Sequence, residues 1–181
     1  LATFDLADPA SPALVSHTDT GGSTSSVAAA GDTVLVADYL AGLVAIDMAD
    51  PASPIVLATA AEPVRAFSVA TRGGYAYVSA QGPRTPGDAA AVFTFDITDA
   101  SQPLRTDRFY VRYPMHVGVD GDRLYFANHI FGLNIYALTD PARPSLLGNI
   151  DLQNAVRVRV IGDVAYVSDP WVGLVAVDVS E

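Results

Sequence analysis

The chain has 181 residues, half of them apolar, with 20 acidic against 10 basic side chains and a net charge of -10. That balance repels phosphate backbones and anionic headgroups, so nucleic acid and direct membrane insertion are not expected. Without cysteine there is no disulfide frame, thiolate metal site or cysteine nucleophile, and no apolar run approaches the roughly 20 residues of a membrane-spanning helix.

The first element, Leu1 to Asp8, ends in a phrase that organises the rest. Phe4 to Pro12 reads FDLADPASP, a short apolar strand, an acidic residue and a Pro-bracketed corner. The phrase returns as IDMADPASP from Ile46, FDITDASQP from Phe95, YALTDPARP from Tyr136 and VDVSE from Val177. Its last acidic residues, Asp8, Asp50, Asp99, Asp140 and Glu181, are spaced by 42, 49, 41 and 41 residues. A period in this range means one supersecondary unit per repeat, as in propellers and solenoids.

Within the first repeat, residues 13–50, four short strands are expected: a from Ala13 to Thr18, b from Ser25 to Ala30, c from Thr33 to Ala37 and d from Leu43 to Met48. Strands b and c meet at Gly31-Asp32, which recurs as Gly73-Gly74, Gly121-Asp122 and Gly162-Asp163 and provides the positive φ of two-residue hairpins. Strand b places Val27, Val69, Val117 and Val158 on one face, an alternation that predicts burial of that face in every repeat. The second repeat, 55–99, carries an insertion at 81–90, and the third and fourth span 104–140 and 145–181. No stretch sustains a 3.6-residue apolar period, so the expected fold is all-β: a β-propeller of four-stranded antiparallel blades, four complete plus one extra N-terminal outer strand. Residues 1–8 then form a strand d without its own a, b and c. Three explanations are open: the chain is part of a larger propeller, two chains complete each other's ring, or the first strand pairs elsewhere.

Gly31 to Pro54, GDTVLVADYLAGLVAIDMADPASP, and Gly162 to Ser180, GDVAYVSDPWVGLVAVDVS, resemble LVIVD repeats, a bacterial and archaeal propeller repeat. The resemblance implies an exported, surface-associated scaffold, extracellular or at the cell surface, with any export signal upstream. It implies no particular reaction. The second and third copies depart from the pattern, with Ala80 and Asn128 where the others carry an acidic residue at the end of strand c.

The d-to-a corners and b-to-c turns share one face of such a propeller and repeat closely. The opposite face carries the a-to-b and c-to-d loops, where the copies diverge, and loops on a rigid scaffold commonly bind. The candidates there are His17, Tyr39, Arg65, Arg112, Tyr113 and His116, followed by His129, Phe131, Arg157, Asp169 and Trp171. His116 and His129 fall in one blade and make a weak metal or acid-base pair, against the simpler reading of hydrogen-bonded loop histidines. Asp38, Asn128 and Asp169 share one repeat position and read as turn caps. Asp5, Asp47, Asp96 and Asp178 read as solvated edge charges, and Asp120-Gly121-Asp122 as a hairpin in preference to a calcium loop. Trp171 and Phe131 occupy matching loop positions suited to anchoring a partner. No cofactor is expected; calcium or a transition metal is the weaker alternative. The leading expectation is a non-enzymatic scaffold binding a protein or small ligand. The alternatives are a metal-assisted hydrolase or oxidase using His116 and His129, and a repeat unit that self-associates through open blade edges.

Overall fold

The computed structural model describes residues 1–60, 65–80 and 90–180. These hold strands and turns without a helix. A hairpin of β1 (Ala2–Asp5) and β2 (Ala13–His17) comes first. Three four-stranded antiparallel sheets follow: β3 (Thr24–Ala30), β4 (Thr33–Asp38), β5 (Gly42–Asp47) and β6 (Ile55–Ala60); β7 (Ala66–Arg72), β8 (Tyr75–Ala80), β9 (Ala91–Asp96) and β10 (Leu104–Tyr110); β11 (His116–Asp120), β12 (Arg123–Ala127), β13 (Leu133–Ala137) and β14 (Ser145–Ile150). A three-stranded sheet of β15 (Arg157–Ile161), β16 (Val164–Asp169) and β17 (Gly173–Asp178) ends the chain. Expected and observed strand limits agree within a residue or so. The insertion expected at 81–90 lies, apart from Ala90, outside the described residues, as does Glu181.

The grouping of strands differs from expectation. Each strand a pairs with the strand d before it: β2 with β1, β6 with β5, β10 with β9 and β14 with β13. The blades therefore run b-c-d-a, and the strand expected to open each blade is the outermost strand of the blade before. The cause is the corner between d and a, which is a tight turn closed by Ser11, Ser53, Gln102 and Arg143 N–H groups donating to the carbonyls of Asp8, Asp50, Asp99 and Asp140, each at 3.0 Å. A turn that short makes its flanking strands antiparallel neighbours. The first strand accordingly pairs with β2.

The same corners correct the reading of the strand-d carboxylates. Asp5, Asp47, Asp96 and Asp178 each accept the N–H two residues on, at 2.8 to 3.0 Å. They are Asx caps that fix the exit from strand d, a role edge repulsion does not explain.

Consecutive blades bury their faces against one another. Leu35, Leu43 and Ala45 of the first pack on Val69, Val78 and Phe93 of the second. Tyr77 and Val92 of the second pack on Val117, Leu124 and Phe126 of the third, and Tyr125 and Leu133 of the third on Val158, Ala165 and Val167 of the last. Innermost strands β3, β7, β11 and β15 follow in order, tied in part by side chains: the Ser26 hydroxyl accepts from Val69 N at 3.4 Å and that of Ser68 from Val117 N at 3.2 Å. Each buried Leu or Val contributes roughly 1.5 to 3 kcal/mol, so stability resides in these seams.

One member of the valine series breaks the expected pattern. Val69, Val117 and Val158 are at most 4% exposed, whereas Val27 is 51% exposed. Among the described residues, the β1–β2 hairpin lies against the first blade with Leu1 packed toward Val36, Val44 and Ile46, and it does not cover Val27.

Candidate binding face

The a-to-b loops and c-to-d turns lie together at one end of the sheets, and a repeated device holds them. Asp38 ends β4 fully buried and accepts from Ser23 N at 2.9 Å, Leu40 N at 3.0 Å, Ala41 N at 2.9 Å and the Thr20 hydroxyl at 2.7 Å. Burial alone would raise its carboxyl, but these four donors hold it below the usual carboxylate range. Asp169 repeats the arrangement with Asn154 N at 2.7 Å and Trp171 N at 2.8 Å. In the third blade Asn128 takes Tyr113 N at 2.8 Å and turns its amide to Asn134 Oδ1 at 2.8 Å. The turn-cap reading of this position holds at Asp38, Asn128 and Asp169.

The clamped partner is missing from the sequence reading. Ser23, Tyr113 and Asn154 all stand 15 residues before their caps. The second blade has Ala80 at the cap position, and there Arg65 N donates to Tyr39 O at 2.9 Å with Arg65 in left-handed backbone at φ 59.

On this frame the third blade presents a stack. Tyr113 lies parallel to Phe131, with ring centroids 6.1 Å apart and planes at 4°, and the Arg112 guanidinium sits 4.9 Å above the Phe131 ring. His129 stands 5.7 Å from Tyr113. The turn carrying Phe131 is rigid: His129 and Ala155 exchange backbone hydrogen bonds at 2.8 and 3.0 Å, and Asn149 Nδ2 donates to Phe131 O at 2.9 Å. Gly132, at φ 74, is required there, because a Cβ would overlap the Ile150 carbonyl. Tyr113 is 48% exposed and Trp171, at the matching turn of the last sheet, 65%. A smaller group lies at the first turn, where Arg65 sits 5.9 Å over Tyr39 and Tyr39 meets Phe67 edge-on at 5.6 Å.

The other candidates separate from this stack. His17 ends β2 opposite Ala2, exposed. His116 lies at the start of β11 in a groove of about 390 Å³ shared with Arg157, Tyr166 and Leu174, and burial, then the Arg157 charge, push its imidazole down to about 4. His129 belongs instead with Tyr113. Among the described residues no group of three or more His, Asp or Glu side chains is placed to hold a metal. Asp120-Gly121-Asp122 forms the hairpin turn between β11 and β12, with Gly121 at φ 54.

A family model, LVIVD repeat, matches residues 21–60, 65–83 and 153–181. These stretches are LVIVD repeats. A search of curated proteins finds no match. Among solved structures, the chain resembles one in the crystal structure of a nidogen/laminin complex, with a TM-score of 0.69 and 19% identity over 94% of this chain and 64% of that one. It resembles BamB from Moraxella catarrhalis with a TM-score of 0.71 and 8% identity over 93% of this chain and 50% of that one. The computationally designed Ika4 protein gives 0.70 and 8% identity over 91% of this chain and 96% of that one. The LVIVD repeats here thus build β-propeller blades, and the chain spans less than two thirds of the nidogen/laminin and BamB chains.

Proposed function

We propose that this LVIVD chain is a non-catalytic binding scaffold, extracellular or at the cell surface, that captures a protein or small ligand on the a-b and c-d loop face. One observation carries the reading: Arg112 and Tyr113 stand exposed against Phe131, which is half-buried on a rigid turn, while the buried acids of that face are consumed as caps. An aromatic surface beside a guanidinium suits a ligand with an apolar or planar part and a carboxylate or carbonyl acceptor. Rigid aromatics with few rotamers lose little entropy on binding, which is why such residues anchor interfaces. The outside location is supported by what the LVIVD resemblance implies and by the absence of cysteine.

The test selects displayed random peptides against the immobilised chain, then measures their affinity for Tyr113→Ala, Trp171→Ala and an outer-strand control, Ile55→Ser. Binders weakened about tenfold or more by the two loop-face changes and unaffected by the control are expected. Binders indifferent to both loop-face changes overturn the reading. So does a hydrolytic or oxidative activity lost in His116→Ala with His129→Ala. Fractionation of the native source tests the location.

A further inference from the structure

We infer that the groove between the innermost strands β11 and β15 binds a small carboxylate with a hydrogen-bond donor at its other end, as free amino acids and hydroxy acids have. The site lies apart from the Tyr113 stack, and the inference does not depend on the reading of that face.

The seam between the third sheet and the last departs from the two before it. At those two, a serine one position before the valine of the series closes the inner edge: the Ser26 hydroxyl accepts from Val69 N at 3.4 Å and the Ser68 hydroxyl from Val117 N at 3.2 Å. The third seam has His116 at that position. Its Nδ1 is buried without a hydrogen-bond partner, and among the described residues no side chain accepts from Val158 N. Two residues further along, where the earlier blades have Ala28 and Ala70, stands Gly118. A cavity of about 350 Å³ opens here, lined by His116, Gly118 and Asp120 of β11 and by Val158, Arg159 and Val160 of β15. Small-molecule sites begin at roughly 300 Å³.

Donors converge on this groove. Strands β15 and β16 meet at the two-residue turn Gly162-Asp163, which makes Ile161, Arg159 and Arg157 the hydrogen-bonded positions of their ladder. The N–H groups of Val158 and Val160 therefore point away from β16, to the inner edge, and the amides of a sheet edge form anion-binding concavities. Arg159 adds a full charge. Arg72 and Arg123 donate to the Leu138 and Val179 carbonyls, and Arg65, Arg108 and Arg112 lie over aromatic rings. Arg159 is exposed and has no hydrogen bond, ion pair or ring contact among the described residues. A guanidinium free at a cleft suits a carboxylate, which it grips through two parallel N–H···O bonds. His116, neutral at pH 7 because burial and then the Arg157 charge lower it to about 4, offers a further hydrogen bond without further charge.

Asp120 sets the other end. It closes β11 two residues beyond Gly118, roughly 7 Å along the strand, and makes no ion pair with Arg159. Its carboxylate repels a second negative charge and accepts from an ammonium or hydroxyl group. Opposite charges that line one groove without pairing are bridged by a ligand with one carboxylate and one donor, and a polyanion such as phosphate is disfavoured.

The experiment titrates alanine, lactate, propionate and inorganic phosphate separately into the isotope-labelled chain at constant ionic strength and follows the Val158 and Val160 amides by NMR. Alanine and lactate are expected to shift both amides saturably, propionate, which has the same carbon chain without the donor, to bind several-fold more weakly, and phosphate to give no saturable shift. Arg159→Ala is expected to weaken alanine about tenfold or more, and Asp120→Asn to bring alanine to the level of propionate. Gly118→Ala narrows the groove and weakens alanine as well; its Cβ stands 3.6 Å from the Val158 carbonyl, an ordinary contact, so the fold is kept. No saturable shift with alanine or lactate, alanine binding indifferent to Arg159→Ala and Gly118→Ala, propionate equal to alanine, or phosphate as tight as alanine overturns the inference.

Discussion

Replacing Asp38 by Ala tests whether the loop face is held by its buried caps. The substitution leaves three backbone N–H groups, Ser23, Leu40 and Ala41, and the Thr20 hydroxyl without the acceptor they share. A buried donor left without a partner costs about 1–3 kcal/mol, and the hydroxyl can rotate away, so three amides at the low end of that range give about 3–5 kcal/mol. Asp38→Asn keeps one carbonyl oxygen for those amides, as Asn128 does for Tyr113, and is expected to cost about 1 kcal/mol. The carboxyl is held below its ordinary 3.8 in the folded chain, so the folded state releases its proton more readily than the unfolded one. Its stabilisation is therefore complete above the unfolded pKa and is lost as pH falls through the folded value. The gap between Asp38→Ala and the parent must then narrow below about pH 4. Urea unfolding followed by circular dichroism measures the differences, and hydrogen exchange at Ser23, Leu40 and Ala41 shows whether the loss is local, as repeat folds can open blade by blade. Equal effects of Ala and Asn, or exchange at those three amides unchanged in Asp38→Ala, refute the argument.

Two other predictions concern positions the face depends on. His116, with its imidazole pushed from 6.5 down to about 4 by burial and by Arg157, is neutral in the folded chain while the unfolded chain takes up the proton first. Stability is then highest above about pH 6.5 and declines by about 3 kcal/mol on the way to pH 4; His116→Gln flattens that slope, and an NMR titration of His116 with its midpoint near 6.5 refutes it. Gly132→Ala must force a side chain against the Ile150 carbonyl at φ 74, whereas Gly31→Ala, at φ 63, meets open space. The expected losses are about 3 kcal/mol or more and about 1 kcal/mol, and equal urea midpoints would show that the turn is not packed as described.

How much of this was legible in the sequence depends on what each feature asks of the side chains. The repeat was plain because its corner needs particular residues: an Asp to cap the turn after strand d, a second Asp to cap the corner, and Pro to fix the exit. Where one blade ends and the next begins was not plain, since a periodic sequence can be cut at any phase. Only turn length settles it, and the tight corner from Asp50 to Ser53 pairs its flanking strands whichever way the period is drawn. Val27 repeats the pattern of Val69 and Val117 yet is exposed, because burial depends on a neighbour that the local pattern does not encode.

The site divides along the same line. Asp38, Asn128 and Asp169 were readable as caps, since a side chain must supply the oxygen. Their partners Ser23, Tyr113 and Asn154 were not, because each contributes only its backbone N–H, and any residue except proline offers one. That is also why these positions are free to differ. A loop clamped through its amide can change its side chain without losing its place, so Tyr113 can be given to stacking on Phe131 while the equivalent Ser23 and Asn154 do something else. The recurring cap and the variable ring above it are thus two consequences of one arrangement: recognition of backbone holds the face, and that leaves its chemistry open to change.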